Sequence, residues 1–351
     1  MKSPQVTVSI PTRNRAHLLR DCLRSVLEQS LADIEVFVSD NASTDDTAHV
    51  VASFRDPRVH YAPLEKNIGL QGNVTRSMEL GTAPLVALLA DDEVFLPDAL
   101  ARKVALLEQD PEVDMVHSAL RLIHRGPNNE PLGETVSYGG GSVDAVEPGA
   151  LVVRRILTEG YFIHATTVLA RRSVVKNNPW EQADGPGCDI GFCLRASHRS
   201  RAIAYIAEPL GASLVHPLAA SIEQLYEFES GAWHPTFKAM ATVKHVHMRF
   251  LNKFGRELDD LPAIRRARRS QARKALVSMM KRKSRPQRSP RATWSLFWQA
   301  VPIEPRLLFE PHAMRLLIRS LAGERGRRLR RRILGRMPRW AGGAGREESR
   351  P

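Results

Sequence analysis

The chain has few cysteines and lacks long apolar runs, and each absence excludes a class of protein. Only three of the 351 residues are cysteines, at positions 22, 188 and 193, and no two of them form a C-x-x-C pair. This spacing argues against a disulfide framework or a zinc site and favours a reducing compartment. No apolar run approaches the roughly 18 residues of a membrane-spanning helix, and the N-terminus lacks the apolar region of a signal peptide. We therefore expect a soluble or peripheral protein in the cytoplasm.

Apolar residues alternate between strand and helix spacing through the first third of the chain. The pattern predicts strands at residues 6–10, 34–38, 59–61 and 85–89, with helices at residues 18–27, 69–80 and 97–107. Strands that alternate with helices are typical of βαβ units in a mostly parallel sheet. Ligands bind such open sheets at the carboxyl ends of the strands.

Three consecutive acids, Asp91, Asp92 and Glu93, directly follow the apolar run of residues 84–90. Carboxylates at this edge of a sheet are hard oxygen ligands of the kind that suits Mg²⁺ or Mn²⁺, which in turn hold phosphate oxygens. The triplet therefore predicts a nucleotide or another diphosphate as substrate. A solvated acidic turn is the alternative that these residues leave open.

Four segments, in this order, resemble a family 2 glycosyltransferase. They are VSIPTRNR at residues 8–15, VSDNASTDD at residues 38–46, NIG at residues 67–69 and ADDE at residues 90–93. The resemblance covers roughly residues 4–225. It implies the GT-A fold, a Rossmann-like α/β fold with a mostly parallel sheet flanked by helices. It also implies an inverting transfer of a sugar from a nucleotide-sugar donor to an acceptor hydroxyl, as in the synthesis of cell-surface polysaccharides or glycoconjugates.

The resemblance also assigns roles to single residues. It places nucleotide-sugar contacts at Pro11, Thr12, Arg15, Asp40, Asn67 and Asp91. Asp40 would accept the N–H of the base in a charge-assisted hydrogen bond, which favours UDP- or dTDP-sugars. A metal ion, Mg²⁺ or Mn²⁺, would be held by Asp92, Glu93 and His216. Many relatives carry an Asp where this chain has Ala90, so either fewer carboxylates hold the metal or the register is shifted by one residue.

The segment CDIGFCLRA at residues 188–196 resembles the Glu-Asp-x-Asp-Leu-x-Leu-Arg helix of the same family. Asp189 falls on the acid that acts as the catalytic general base, which takes the proton from the incoming hydroxyl. Cys188 and Gly191 replace two other acids of that pattern. A helix N-cap is the alternative role for Asp189, and it is compatible with catalysis.

Charge divides the chain into two parts. Residues 1–235 carry 21 Lys and Arg against 30 Asp and Glu, a net charge of −9, whereas residues 236–351 carry 30 against 8, a net charge of +22. We predict a GT-A catalytic domain in residues 1–235, a basic helical extension in residues 236–340 and a disordered, Gly-rich tail in residues 341–351.

The basic extension suggests an anionic partner. Basic amphipathic helices bind anionic membrane surfaces, so peripheral association with the cytoplasmic face of a membrane is one hypothesis. A solvated basic tail or a helical domain packed on the catalytic core is the alternative. No nucleic-acid motif is present, so we expect no specific nucleic-acid partner. The expected partners are a nucleotide-sugar donor and a carbohydrate or lipid-linked acceptor.

Two other functions are compatible with these residues. A nucleotidyltransferase shares the sheet architecture and the use of acids with Mg²⁺, but the turn at residues 11–15 lacks the glycines that such an enzyme normally has there. A non-catalytic scaffold that keeps the fold is compatible with Ala90, Cys188 and Gly191. The presence of Asp40, Asp92 and Asp189 argues against it.

Overall fold

The computed structural model describes residues 3–159, 163–176, 178–216, 226–229, 232–283, 297–311 and 313–315. The chain forms two compact units, residues 1–271 and 272–351. The predicted disordered tail, residues 341–351, lies outside the described residues. The predicted domain boundaries at residues 235 and 340 remain predictions.

Strands and helices alternate over residues 6–88, and strands also follow one another directly further along the chain. The strands are β1 Val6–Thr12, β2 Ile34–Asp40, β3 Val59–Pro63, β4 Leu85–Leu88, β5 Glu93–Phe95, β6 Val113–Arg125, β7 Pro131–Ser137, β8 Ala145–Pro148, β9 Leu169–Arg171, β10 Ala202–Val215, β11 Tyr226–Glu229 and β12 Ala232–Pro235. The helices are α1 Ala16–Leu27, α2 Thr47–Ser53, α3 Leu70–Glu79, α4 Ala99–Gln109, α5 Gly149–Glu159, α6 Arg172–Val175, α7 Cys188–Arg199, α8 Phe237–Phe254 and α9 Leu261–Lys283. Short 3₁₀ turns lie at Ala165–Thr167, Gln182–Gly187, Gly255–Glu257 and Pro305–Phe309.

Ten of these strands form one mixed sheet, in the order β3-β2-β1-β4-β9-β6-β10-β5, with β7 paired to β6 and β8 paired to β10. The first four strands of this order are mutually parallel. Their carboxyl ends therefore lie along one edge of the sheet, where the polar segments after β1, β2, β3 and β4 come together. Strand β9 is antiparallel to both of its neighbours. The predicted α/β architecture is confirmed, but the sheet is mixed and not mostly parallel, since four of its described strand pairs are parallel and five are antiparallel.

The alternation of side chains along the strands explains why helices cover both faces of the sheet. Val8 and Ile10 of β1 lie in one apolar core with Leu19 of α1. Val86 and Leu88 of β4 lie in a second core with residues of α5 and α7. Because successive side chains of a strand point to opposite faces, one continuous apolar run such as residues 85–89 supplies both cores.

Helix α8 belongs to the first unit. Its residues Val246, Phe250 and Leu251 are buried in the second core together with Phe192 of α7. Helix α9 carries nine Lys and Arg and no acidic residue along its 23 residues. No helix in the described part of the chain is both long and apolar enough to cross a membrane.

A candidate active site at the carboxyl edge of the sheet

The turn after β1 and the acids after β4 are directly bonded to each other. The hydroxyl of Thr12 donates a hydrogen bond to Asp91 Oδ2 at 2.7 Å. The Nη1 atom of Arg15 lies 3.1 Å from Asp91 Oδ1 and 3.0 Å from Asp92 Oδ2. Pro11, which precedes Thr12, pairs with Ser39 in the β1–β2 ladder and is half-buried. The structure therefore gathers the predicted residues of both segments around one guanidinium group.

Burial and nearby charges shift the pKa values of Asp91 and Asp92 in opposite directions. Burial raises the pKa of Asp91 to about 6, although Arg15 and Thr12 act against this shift. Burial also opposes the ionisation of Asp92, but the hydrogen bond with His216 and the charge of Arg15 hold the pKa of Asp92 below its ordinary value. Asp92 is therefore the carboxylate that stays ionised most readily, and it is available to bind a cation.

His216 follows β10 and reaches the same carboxylate. Its Nε2 atom lies 3.4 Å from Asp92 Oδ2, so both residues can present donor atoms to one cation. In the described part of the chain, no group of three His, Cys, Asp or Glu side chains is arranged to hold a metal ion. Mg²⁺ is usually held by one or two carboxylates together with substrate phosphates. The pair of Asp92 and His216 fits a divalent ion that takes its remaining ligands from a diphosphate and water.

Glu93 forms its hydrogen bonds with residues outside this pair. It begins β5, which pairs antiparallel with β10, and Glu93 lies opposite Ser213 in that ladder. Its carboxylate accepts hydrogen bonds from Thr166 and Ser213. Burial and the charge of Asp92 raise the pKa of Glu93 to about 7. The structure therefore does not bring Glu93 into the group formed by Arg15, Asp92 and His216, and its role as a metal ligand remains a prediction.

Asp40 is the last residue of β2, which pairs directly with β1, and it is almost fully buried. Its Oδ1 atom accepts hydrogen bonds from the N–H and the hydroxyl of Ser43, at 2.9 and 2.5 Å. Its Oδ2 atom accepts one from the hydroxyl of Tyr61 at 2.5 Å, and burial together with this bond raises the pKa of Tyr61. These donors fix the orientation of the Asp40 carboxylate, which the family resemblance assigns to the nucleobase of the donor. Oδ1 already accepts two hydrogen bonds, whereas Oδ2 accepts one and keeps a lone pair for a further donor.

Asn67 lies in the loop after β3 and is exposed. Its Oδ1 atom accepts hydrogen bonds from Asn41 Nδ2 at 2.8 Å and from the N–H of Gly69 at 2.9 Å. Asn41 also accepts one from the N–H of Ile68 at 2.8 Å. The buried side chain of Asn41 therefore holds the Asn67–Gly69 loop against the end of β2.

Sequence reasoning missed two buried asparagines that support this edge. Asn41 falls inside the second resembling segment and is buried. Asn73 lies on α3, accepts a hydrogen bond from the Ser39 hydroxyl at 2.7 Å and donates to the Ser39 carbonyl at 2.9 Å. An amide on the apolar face of a predicted helix was the available signal, because a buried polar group needs a partner.

Asp189 lies in the first turn of α7, after the 3₁₀ turn at Gln182–Gly187. Its Oδ1 atom accepts a hydrogen bond from the N–H of Ile190 at 2.8 Å, which is a local capping interaction. Burial raises the pKa of Asp189 above its ordinary value. A carboxylate with a raised pKa is a better proton acceptor, which suits the predicted general base.

The predicted catalytic segment contacts the donor side through α3. Gln71 Nε2 donates a hydrogen bond to the carbonyl of Gly185 at 3.4 Å, and Trp180 N–H donates to the Thr75 hydroxyl at 3.0 Å. Helix α3 begins directly after the Asn67–Gly69 loop. The loop that leads to Asp189 is therefore anchored to the same helix that borders the predicted nucleotide site.

Comparisons with known proteins match part of this chain to glycosyltransferases. Residues 7–177 match the model described as glycosyl transferase family 2. The GalNAc(5)-diNAcBac-PP-undecaprenol beta-1,3-glucosyltransferase of Campylobacter jejuni is 35% identical over 102 residues, which is 28% of this chain and 33% of that protein. The PGL/p-HBAD biosynthesis glycosyltransferase of Mycobacterium bovis BCG is 30% identical over 120 residues, 33% of this chain and 47% of that protein. The chain thus spans about a third to a half of the length of these relatives.

Solved structures share the fold at low sequence identity. The crystal structure of Staphylococcus aureus TarS, residues 1–349, matches with a TM-score of 0.55 at 16% identity, over 86% of this chain and 81% of that one. The same protein in complex with UDP-GlcNAc matches with a TM-score of 0.51 at 14% identity, over 87% and 92% of the two chains. The likeness confirms the GT-A fold predicted from the sequence.

Proposed function

We propose that this protein, whose residues 7–177 match the model of glycosyl transferase family 2, transfers a sugar from a nucleoside-diphosphate donor to an acceptor hydroxyl with inversion. One observation carries the proposal. Thr12, Arg15, Asp91, Asp92 and His216 come from three separate segments and meet at the carboxyl edge of the sheet. This arrangement offers one guanidinium and two carboxylates to a diphosphate and its sugar.

The donor side uses groups that are already oriented. Asp40 accepts the N–H of the base, which favours a UDP- or dTDP-sugar, and its donors Ser43 and Tyr61 hold it in place. Arg15 pairs with diphosphate oxygens in a charge-assisted contact, which its planar guanidinium suits. Pro11, Thr12 and Asn67 shape the walls of this site, and Asp91 contacts the sugar.

A divalent ion, Mg²⁺ or Mn²⁺, would be held by Asp92 and His216, and when bound it neutralises the charge of the leaving diphosphate. The chain prepares this position by keeping Asp92 ionised next to His216. Glu93 would first have to leave Thr166 and Ser213 to take part.

Asp189 takes the proton from the attacking hydroxyl. Direct displacement inverts the anomeric carbon, so one general base suffices and no covalent intermediate is needed. Typical general-base contributions are about 10²- to 10⁴-fold in rate. The raised pKa of Asp189 makes the proton transfer more favourable than it would be for an exposed aspartate.

For the acceptor we propose a carbohydrate or a lipid-linked saccharide of cell-surface polysaccharide or glycoconjugate synthesis. The name of the Campylobacter relative contains an undecaprenol-linked saccharide, which supports the lipid-linked alternative. The net charge of +22 in residues 236–351 supports contact with an anionic membrane surface on the cytoplasmic side. In the second unit, Phe309 is 84% exposed, as expected of an aromatic residue that enters a lipid interface.

The first experiment is thermal stabilisation of the protein by a panel of nucleoside diphosphates, each with and without Mn²⁺. Binding to the folded state raises the melting temperature. Stabilisation by UDP or dTDP that needs Mn²⁺ is the expected result. Absence of any shift with every nucleotide would contradict the proposed donor site.

The second experiment separates the two predicted roles by mutation. Asp92→Asn should remove the Mn²⁺-dependent part of the stabilisation, whereas Asp189→Asn should keep it and lower transfer by at least about 10²-fold. Asp21→Asn, at a side chain that is 69% exposed on α1, is the control and should behave like wild type. Full turnover by both site variants would defeat the mechanism.

Membrane contact is tested by sedimentation with vesicles. Binding to vesicles that contain phosphatidylglycerol, and not to pure phosphatidylcholine vesicles, is expected, and it should weaken as salt is raised. Equal binding to both kinds of vesicle, or to neither, would contradict the anionic-surface hypothesis.

A further inference from the structure

Asp184 is a buried acid just ahead of the predicted catalytic base, and the proposed mechanism does not use it. It lies in the 3₁₀ turn at Gln182–Gly187 and is only 2% exposed. Its Oδ2 atom lies 2.8 Å from Arg195 Nη1 of α7, and its Oδ1 atom lies 2.9 Å from Arg249 Nε of α8. A single carboxylate therefore joins two helices to the turn that leads into Asp189.

Both arginines are held by further partners. Arg195 also donates to the Asn178 side chain at 3.1 Å and to the Pro179 carbonyl at 2.8 Å. Arg249 also contacts Glu181 at 2.7 Å. Because buried ion pairs are stable only when the remaining donors and acceptors are satisfied, this network has one well-defined geometry. It fixes the backbone from residue 178 to the start of α7.

Gly191 makes room for this contact. A Cβ atom at position 191 would lie 2.1 Å from Asp184 Oδ2 and 3.1 Å from Arg195 Nη1. Any side chain there would expel the Asp184 carboxylate from its place beside Arg195. The family pattern has an acid where this chain has Gly191. In this chain the Asp184 carboxylate, from the preceding turn, occupies the space beside that position.

We propose that Asp184 is the positioning residue for Asp189, and that it acts by locking the 182–187 turn between Arg195 and Arg249. This inference rests on the proposed function for the role of Asp189. It assigns α8, through Arg249, a part in holding the acceptor side of the site. The donor side, built from β1, β2 and β4, lies outside the network and should not depend on it.

Two buried cysteines of the chain can report whether this network is intact. Cys188 is buried immediately before Asp189, whereas Cys22 is buried on α1 in the first apolar core. Alkylation by iodoacetamide, followed by fragment-ion mass spectrometry that assigns the label to Cys22, Cys188 or Cys193, measures local opening at each thiol. In Asp184→Asn and in Arg249→Gln, the alkylation rate of Cys188 should rise at least about tenfold while that of Cys22 stays within about twofold.

Arg249→Gln guards against misfolding, because the Arg249 side chain is 37% exposed and Arg195 keeps its pairing with Asp184. Arg256→Gln, an exposed position just after α8, is the matched control and should leave both rates unchanged. An unchanged Cys188 rate in Arg249→Gln would overturn the proposal. Equal acceleration at Cys188 and Cys22 would also overturn it, because that result indicates global destabilisation.

A functional readout then separates positioning from stability. Calorimetric affinity for UDP with Mn²⁺ should stay within about twofold in Arg249→Gln, while UDP release from UDP-glucose should fall about tenfold or more, as expected when a catalytic group is misplaced. Gly191→Ala, which displaces the same carboxylate, should give the same pattern. A parallel loss of UDP affinity and turnover would overturn the positioning role. Absence of UDP binding in the wild-type protein would instead contradict the proposed function, and the two failures are thus distinguishable.

Discussion

Replacement of Asp91 by Asn should stabilise the protein at neutral pH while it damages the donor site. Asp91 is buried and its pKa is raised from 3.8 to about 6. A shift of about two units corresponds to roughly 3 kcal/mol, at 1.36 kcal/mol per unit. Asn cannot ionise but keeps an oxygen that accepts the hydrogen bond from Thr12. The amide group of Asn interacts with Arg15 less favourably than a carboxylate does, which reduces this gain. We therefore expect Asp91→Asn to raise the free energy of unfolding by about 1–3 kcal/mol.

The pH dependence follows from the direction of the shift. The folded protein holds the Asp91 proton up to about pH 6, whereas the unfolded chain releases it near pH 3.8. The stability of wild type should therefore fall, relative to Asp91→Asn, as the pH rises between these two values, and the difference should be constant above them. Other groups such as Glu93 titrate in both proteins and largely cancel in the difference.

Urea unfolding followed by circular dichroism, in EDTA at several pH values from about 4.5 to 8, measures this difference. Asp21→Asn serves as the control, and its effect should stay within about 0.5 kcal/mol at every pH. If Asp91→Asn is less stable than wild type at pH 8, the contacts with Arg15 and Thr12 outweigh the cost of burial and the reasoning is refuted. A stabilised but inactive variant would show that the site carries an unfavourable charge for the sake of function.

Three further predictions concern single groups near or beneath the site. Arg15→Gln should raise the affinity of nucleotide-free protein for Mn²⁺ about tenfold, since it removes a cation 3.0 Å from Asp92. Electron paramagnetic resonance of free Mn²⁺ measures this affinity. An unchanged affinity would mean that Arg15 does not compete with the metal. Gly69→Ala should cost about 1–3 kcal/mol in thermal unfolding, because Gly69 has φ +83° and ψ 165°. Gly72→Ala in the first turn of α3, where a Cβ would lie 3.3 Å from Ile68 Cγ1, should cost less, and equal effects would refute the backbone argument. Lys103→Met should stabilise the protein by at most about 5 kcal/mol at pH 6, because burial lowers the pKa of Lys103 from 10.5 to about 7. Urea unfolding should show that this gain shrinks as the pH rises toward 10. A gain that does not depend on pH would contradict the prediction.

Much of the donor side could be predicted because it depends on local patterns. Thr12, Arg15, Asp40 and Asp91 each follow a strand with a readable apolar period, and parallel strands bring their carboxyl ends to one edge. The contacts among these residues could not be predicted. The bridge from Arg15 to Asp91 and Asp92 joins positions 76 and 77 residues apart, and it depends on which face of each turn points inward.

The acceptor side was less predictable for a physical reason. Gly191 read only as a departure from the family pattern, because a glycine reveals nothing about what fills the space beside it. The structure shows that the filling group is Asp184, held from the other side by Arg249 of a helix that the sequence placed in a basic extension. Ion pairs between distant segments leave no periodic signal in the chain.

The sequence by itself determined the order of most strands and helices through residue 107, the class of fold and the set of acids at the sheet edge, because these follow from side-chain periods of two and of about 3.6 residues. Only the tertiary structure decided how the consecutive acids divide their roles. Asp91 and Asp92 meet Arg15, whereas Glu93 enters a strand that pairs with β10 and bonds to Thr166 and Ser213. Asp91 and Asp92 lie in the turn before β5, whereas Glu93 begins that strand, and the partner strand β10 determines what Glu93 meets.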